Sequence, residues 1–566
     1  MKTIALSGYR YALSAAAVLL ISLCAAEAAI TIKAASLAFN DVNAATSRAN
    51  DGDTVVIPPG TASWTQTLVV AKGITIQGVT TVTGDHTTTM NANDQTIILD
   101  DVSIAHNGRA AILSFTCNAG QSGRISGITF RAGTRPAAPD LGGVVLDGVS
   151  NQVRVDHCHF DNLHALNISV YGSVYGVIDH CIFSESNFNN AIFISNGGGT
   201  YGDSSWASAT EFGSANFMFV EDCELSWTGD AKIQNACSID CYNGGRYVAR
   251  HSTFNQAKPN SHGTESGGRS RSARAIEIYN NTFNWAPGVG PTGGQLRGGC
   301  LLIHDNVYHN YGSGYGLRVY REFFPFNVWG GAFGTNAWDS NDPHGVYASG
   351  IHSGPGGATT LTKTGARWTI NQWVGYSVLN TVTGRGSYVT SNTNDTITYI
   401  VGTDFGSGPN LVFNTGDGFE IRKVLSALDQ PGRGRGDLIA GEPPNVVNTL
   451  TRTAAWPHQA LEPVYSWNNT NNGSNINVGS YGEPTLKEGR DYYNNSPMPR
   501  YTPYTYPHPL TKGLPASEQT MRNAAAGGLQ HEAPKKRRPW GGKTPERKQA
   551  KKGTNQLPEG QENVDN

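Results

Sequence analysis

Ionisable side chains are concentrated in one Gly/Ser-rich stretch of the chain, residues 257–274, which reads AKPNSHGTESGGRSRSAR. Charged residues make up only 15% of the sequence, against about 25% in typical domains, so this density is unusual for the chain. Clustered cations could bind the carboxylates of an acidic polymer, or they could be solvated arginines in an ordinary mobile loop. The candidate catalytic residues are Lys258, His262, Arg269, Arg271 and Arg274, with Glu265 as a candidate for substrate binding.

The chemistry that suits such a cluster is β-elimination from a uronate sugar. A base removes the proton beside the carboxylate, and a cation must neutralise that carboxylate to stabilise the enolate-like transition state. Arg is normally protonated, so an arginine base needs its pKa lowered by adjacent cations. Lys258 or His262 would be an easier base.

A second set of charges lies four residues before a recurring large side chain. Asp156, Asp179 and Glu221 hold this place in VDHCHF, IDHCIF and VEDCEL, and Arg250 holds it in ARHSTF. Stacked acids repel one another unless a cation lies between them, and Ca²⁺ accepts several carboxylate oxygens. Asp179 and Glu221 are therefore candidate calcium ligands, and Arg250 is a candidate substrate-binding residue. The alternative is that these acids cap turns or pair with Arg250 and neighbouring basic groups.

The same segments define a repeat. Two later segments, IYNNTF and IHDNVY, continue the same pattern. The last residues of the six segments are Phe160, Phe183, Leu225, Phe254, Phe283 and Tyr308. Four of the five spacings between these residues lie between 23 and 29. The longer spacing contains the turn-rich stretch 196–214, which is typical of an inserted loop. A period of 20–50 residues indicates a repeat architecture.

Short β-type runs separated by turn residues, with no amphipathic helices between them, predict an all-β fold, a right-handed parallel β-helix. Coils stack at about 4.8 Å, so the recurring Phe side chains should form an internal stack. Two residues earlier, a second internal ladder of small and amide side chains is expected, formed by Cys158, Cys181, Cys223, Ser252, Asn281 and Asn306. We expect these cysteines to fill the core, although adjacent coils lie close enough for one disulfide.

The N-terminal stretch NDVNAATSRANDGDTVVIPPGT (40–61) predicts a short helix and then a strand. The apolar face of this helix, Val42, Ala45 and Ala49, would cover the first coil. With the repeats, this stretch resembles the pectate lyase superfamily over roughly residues 35–320 and again near 463–470.

The resemblance implies roles for particular residues. VIDHCIF is similar to the family segment whose aspartate binds Ca²⁺, which corresponds to Asp179, although Val177 replaces a tryptophan. SIDCYNGGRYVARHSTF (238–254) resembles the strand with a further calcium ligand, which corresponds to Asp240. The family also has an arginine-rich connection that supplies the base. The R-x-P-x-x-R pattern of that connection is absent here. Counting back from Phe283, Arg269 and Arg271 lie nearest to the position where the family has its catalytic arginine.

The rest of the chain divides by composition. Residues 1–28 predict a signal peptide cleaved near Ala28, and hence a secreted, periplasmic or cell-surface protein. We predict a β-helix over 29–354, an inserted small β module over 355–424, a return to the β-helix over 425–513 and a polar tail over 514–566. The tail carries nine Lys or Arg residues between 535 and 552, so it is either a solvated segment or an adhesive one.

The net charge of −2 does not favour nucleic acid as a partner, and no segment after the signal predicts a membrane span. We expect a monomeric lyase that cleaves an acidic, uronate-containing polysaccharide by β-elimination. A non-catalytic carbohydrate-binding or surface β-helix is the first alternative. A polygalacturonase-type hydrolase is the second, although the paired carboxylates of that class are missing from the sequence.

Overall fold

The computed structural model describes residues 28–102, 111–135, 142–163, 166–186, 191–197, 209–232, 237–263, 271–318, 346–373, 377–399, 411–422, 429–437, 458–480 and 486–512. The predicted signal peptide (1–28, except Ala28) and the predicted tail (514–566) lie outside these residues.

Three long sheets of short strands form a parallel β-helix, as the repeat predicts. Sheet A contains Thr31–Lys33, Thr54–Val56, Thr75–Gln77, Gly123–Ser126, the second half of Gly142–Asp156, Ser173–Asp179, Met218–Glu221, Arg246–Arg250, Ala275–Tyr279, Cys300–His304, Val464–Trp467 and Tyr492–Asn494. Sheet B contains Gly60–Trp64, Thr96–Asp100, Thr129–Ala132, His159–Asp161, Ile182–Glu185, Glu224–Trp227, Thr253–Asn255, Thr282–Asn284, Val307–His309, Thr470–Asn471 and Ser474–Asn475.

Sheet C forms the third side of the coils. It contains Leu68–Val70, Ala111–Cys117, the first half of Gly142–Asp156, Leu166–Val170, Ile192–Ile194, Cys237–Cys241 and Lys258–Pro259. The strands Gln295–Leu296 and Gly316–Leu317 pair with each other and continue the same side, since Ser261 donates its backbone N–H to Gln295 O. The chain therefore passes through sheets C, A and B in turn.

The predicted register is confirmed by the internal aromatic stack. Phe160 pairs with Phe183, and their ring centroids lie 4.8 Å apart at an interplanar angle of 3°. Phe254 and Phe283 stack at 4.7 Å, with Leu225 between the two ring pairs. Adjacent coils lie one strand spacing apart, so the stacked side chains form part of the continuous core of the solenoid.

The second internal ladder is confirmed as well. Cys158, Cys181 and Cys223 are fully buried, and the six cysteines whose state the structure describes are free thiols. Further along, Asn281 Nδ2 donates to Asn306 Oδ1 at 3.0 Å, so the ladder changes from thiols to hydrogen-bonded amides. Core filling is therefore the role of these cysteines.

The α-helix Phe39–Arg48 lies at the N-terminal end, as predicted, and Val42, Ala45 and Ala49 are fully buried. In the described part of the chain, no helix is long and apolar enough to cross a membrane. A short 3₁₀ helix, Pro509–Thr511, is the last regular element. Antiparallel pairs also occur, such as Thr81–Thr83 with Asn91–Asn93 and Arg433–Asp437 with His458–Leu461.

The inserted β module has its own sheet and core. Its antiparallel strands run in the order Ala348–Ile351, Gly418–Arg422, Ser377–Asn380, Arg385–Asn392, Thr396–Tyr399 and Thr360–Thr362. A separate apolar cluster includes Leu361, Val389 and Phe413. The first strand begins at Ala348, a few residues before the predicted boundary at 355.

Candidate active site on the outer face of sheet C

The predicted acidic row lies on the outer face of sheet A. Asp156, Asp179, Glu221 and Arg250 are register partners on consecutive coils. Simple alternation from the buried aromatic would point them inward. The residue that follows each of them has a positive φ near 50°, which turns the backbone at the corner between sheets A and B and places the acids outside.

Each acid is paired with an arginine from a neighbouring coil. Arg124 donates to both oxygens of Asp156 at 2.6 and 2.7 Å, and Arg154 donates to both oxygens of Asp179 at 2.8 Å. Arg250 Nε donates to Glu221 at 2.8 Å. Burial alone would raise the pKa of Asp156, but these hydrogen bonds hold it well below its ordinary value. Burial raises the pKa of Glu221. The structure therefore shows the alternative to calcium binding, in which the acids of this row pair with Arg250 and neighbouring arginines.

The C-terminal segment 501–512, which we call the strap, covers this row. Arg250 donates to the carbonyl oxygens of Tyr504 and Thr505 at 2.7 and 2.9 Å, and His508 N donates to Glu221 at 2.8 Å. Apolar side chains of the strap pack on Phe219 and its neighbours. Arg250 is fully buried, so its guanidinium holds the strap and does not face an open substrate groove.

The predicted calcium ligands do not converge. Asp179 and Glu221 lie on sheet A and Asp240 on sheet C, and each carboxylate already accepts from a basic side chain. Among the residues that the structure describes, no group of three His, Cys, Asp or Glu could hold a metal ion. These three residues therefore do not fit a shared Ca²⁺ site, which needs six to eight oxygen ligands around one ion, because Asp240 lies on a different sheet from the other two.

Two of the predicted catalytic arginines bind the segment that follows the insert. Arg271 donates to both oxygens of Asp429 at 2.8 and 2.6 Å, and Arg274 contacts Glu462 at 2.7 Å. Both arginines are buried. Lys258 is also buried, with its Nζ 5.9 Å from the centre of the Trp285 ring. Glu265 and Arg269 lie outside the described residues.

Two other predicted residues do meet. His262 Nδ1 lies 2.7 and 2.8 Å from the two oxygens of Asp240. The Asp240 side chain is 3% exposed and that of His262 is 19% exposed. Asp240 is held in turn by the Cys241 backbone N–H at 2.9 Å. This contact fixes the ring and aims its Nε2 edge away from the acid, as in oriented acid–base histidines.

His262 belongs to a row of half-buried side chains that crosses successive coils. Each member directly follows a buried residue, such as Val170, Cys241 or Leu317. Successive side chains of a strand point to opposite faces, so each member of the row points outward. Backbone hydrogen bonds maintain the register from coil to coil. We call this the outer row: Tyr171, Ser195, Tyr242, His262, Arg297 and Arg318.

Aromatic rings lie on the coils that precede His262 in the outer row. Tyr171 lies 5.6 Å from Phe193, and Phe193 lies 4.7 Å from Tyr242, measured between ring centroids. Tyr242 then meets His262 edge-to-face at 6.3 Å. On the next coil, Arg297 Nε donates to Gln295 Oε1 at 3.1 Å. The face thus combines rings, an oriented imidazole and guanidinium groups along one line.

Sequence reasoning found His262 and Asp240 but missed Tyr171, Tyr242, Arg297 and Arg318. The strands of sheet C carry no repeated hexamer, so nothing in the sequence aligned one with the next. The available signal was a polar or aromatic residue directly after a short apolar run, as in NISVY, SIDCY, GGQL-R and YGL-R. That signal is too common to select a site without the register.

No family model and no curated protein matches the chain. Similar solved structures include an alginate lyase from Paenibacillus sp. str. FPU-7, with 16% identity over 50% of this chain and 97% of that chain and a TM-score of 0.33. Another is the pectin methylesterase PemA from Erwinia chrysanthemi, with 10% identity over 51% and 81% of the chains and a TM-score of 0.29.

A third is the tailspike protein gp49 from Acinetobacter baumannii bacteriophage Fri1, a capsular polysaccharide depolymerase, with 11% identity over 71% and 84% of the chains and a TM-score of 0.26. Because these scores are low, the fold assignment depends on the strand register of this chain and the site on its own contacts.

Proposed function

We propose that the protein acts outside the cell on an acidic polysaccharide, which lies along the outer row and is cleaved by β-elimination with His262 as the base. The observation that carries this proposal is the Asp240–His262 contact within a row that crosses the coils. Row members repeat at about 4.8 Å, a spacing that suits a linear polymer. Histidine exchanges protons in the neutral pH range.

In the proposed reaction, His262 Nε2 removes the proton from the sugar carbon that bears the carboxylate. The electron pair left behind forms a double bond to the neighbouring ring carbon, whose bond to the glycosidic oxygen breaks. That oxygen leaves with the preceding sugar and receives a proton from the protonated imidazole or from water. Asp240 keeps the imidazole in the tautomer that has its acceptor nitrogen toward the polymer.

Hydrolysis is less well supported by this face. Glycoside hydrolysis with two carboxylates requires separations of roughly 5–9.5 Å. Among the described residues of the outer face, Asp147 and Asp240 lie three coils apart, about 14 Å at the usual strand spacing. Asp240 is also committed to His262.

The test follows ultraviolet absorbance of the conjugated product on a panel of acidic polysaccharides, with His262→Ala and Asp240→Asn. We expect His262→Ala to lower the rate by at least about 10²-fold and Asp240→Asn to lower it by a similar factor, because the wrong tautomer is then favoured. His157→Ala is the matched control, since His157 Nδ1 contacts Asp156 at 2.8 Å on another side of the solenoid.

If the wild-type protein yields no unsaturated product from any acidic polymer but binds one of them, the non-catalytic binding function takes the place of this proposal. If His157→Ala is as inactive as His262→Ala, the loss has a structural cause and the site is wrong.

A further inference from the structure

The outer row is chemically asymmetric about His262. On the coils before His262 it presents the rings of Tyr171 and Tyr242, with Phe193 between them. On the next two coils it presents Arg297 and Arg318, both half-buried. A polymer lying along this row therefore meets rings on one side of the base and guanidinium groups on the other.

We propose, as a step that rests on the proposed function, that the substrate is a heteropolysaccharide whose scissile uronate is held by Arg297. The sugar on its leaving side is uncharged and stacks on Tyr242. Arg318 lies one coil beyond and extends the positively charged side of the row. This arrangement fixes the direction of the polymer along the solenoid, with the new unsaturated end on the arginine side of His262.

Arg297 has the position that the chemistry needs. Removing a proton beside a carboxylate builds negative charge on a group that is already anionic, so a fixed cation beside the base stabilises the transition state. Arg297 directly follows His262 in the outer row, one strand spacing away. Its backbone N–H donates to Ser261 Oγ at 3.2 Å and its Nε donates to Gln295 at 3.1 Å, so both the backbone and the guanidinium group are held in place.

The ring side disfavours a second acidic sugar. Asp240 and Asp147 lie on the ring side of the row, and Asp240 is buried next to Phe193 in register. A uronate there would face like charge in a poorly solvated place, which costs binding energy. An uncharged sugar instead presents C–H groups to the rings, which bury apolar surface and exclude water.

The experiment compares three kinds of probe: polygalacturonate, which is acidic at every sugar; hyaluronan and unsulfated chondroitin, in which acidic and uncharged sugars alternate; and uncharged hydroxyethylcellulose. We expect the alternating polymers to be cleaved at least about tenfold faster than polygalacturonate. Arg297→Ala should lower that rate by about 10²-fold, and Arg297→Lys should recover part of it. Tyr242→Ala should weaken binding of the alternating polymers by roughly two- to tenfold, while Tyr242→Phe retains the ring and the affinity.

The matched control is Arg48→Ala, which removes an exposed cation from the N-terminal helix and should change neither rate nor affinity. Binding is measured separately, by calorimetry with the His262→Ala variant. Suppose no acidic polymer yields unsaturated product, yet an alternating polymer binds and Arg297→Ala and Tyr242→Ala both weaken that binding. The proposed function then fails and the substrate class stands. Equal or better cleavage or binding of polygalacturonate, or unchanged behaviour of Tyr242→Ala, overturns the substrate class.

Discussion

Arg250 shows how one buried side chain can join distant parts of this chain. Its guanidinium bonds Glu221, the hydroxyl of Tyr279 at 2.9 Å and two strap carbonyls. Burial works to lower the pKa of Arg250, but Glu221 and Tyr279 together more than offset that effect and raise it. Removing one partner of a buried ion pair is costly, because the other charge is then left buried without compensation.

We therefore expect Arg250→Ala to lower the free energy of unfolding by about 3–5 kcal/mol, because Glu221 is left buried without its cation. Urea denaturation followed by circular dichroism measures this loss. The double variant Arg250→Met with Glu221→Leu should recover much of it, since it removes both charges. A loss below about 1 kcal/mol in the single variant would show that water reaches Glu221 and that the strap is not sealed.

Single residues were only partly predictable from the sequence. The acids of sheet A and the stacked Phe residues could be recognised in the sequence, because both belong to the repeated hexamer. Their partners did not, because Arg124 and Arg154 reach Asp156 and Asp179 from a neighbouring coil. Arg271 binds Asp429, which is 158 residues away in sequence, so no local pattern could show that this arginine is structural.

At the scale of elements, the repeat predicted the coils and the capping helix because each coil repeats the same inward residues. The strap had no such signal. It lacks strands, and its function depends on backbone carbonyls that accept from Arg154 and Arg250. The inserted module was predicted from the opposite evidence, strand-like runs that break the register of the repeat.

Deleting that module should leave the β-helix folded. Its described strands pair only with one another, and Ala348 lies opposite Ile421, so the two ends of the module are adjacent. We expect replacement of 347–422 by a short Gly/Ser linker to leave a single cooperative thermal transition at nearly the wild-type Tm, provided that Asp429 is retained for Arg271. A matched deletion with Asp429→Ala should melt lower. A broad, non-cooperative transition in the first deletion would mean that the module completes the solenoid core.

At the scale of the whole molecule, the repeat fixes where buried charges can be placed. A buried acid in the solenoid, whether it points outward or inward, loses its solvating water, so it must be paired or protonated. The Arg–acid pairs of sheet A take the first solution. Glu185 and Glu277 take the second: burial raises the pKa of Glu185 to about 8 and that of Glu277 to about 7.

These two carboxyl groups predict the pH dependence of stability. Their pKa values in the fold lie above the ordinary value, so the folded protein binds more protons than the unfolded chain between about pH 4.5 and 8. Stability from these groups is therefore fully present below about pH 4.5 and is lost as the pH rises through 7 and 8. His251 acts in the opposite direction, because burial lowers its pKa to about 4 and stability is lost as the pH falls from about 6.5 to 4.

We expect the double variant Glu185→Gln with Glu277→Gln to remove most of the loss of stability between pH 5 and pH 8, on the order of 6 kcal/mol for the two groups together, because glutamine mimics the protonated acid at every pH. Urea denaturation at pH 5, 6.5 and 8 measures the slope. Glu224→Gln is the control, since Glu224 is a half-buried acid on sheet B and its loss should leave the slope unchanged. A double variant with the wild-type slope would show that both carboxyl groups are ionised in the fold at neutral pH, and that some other group carries the alkaline decline.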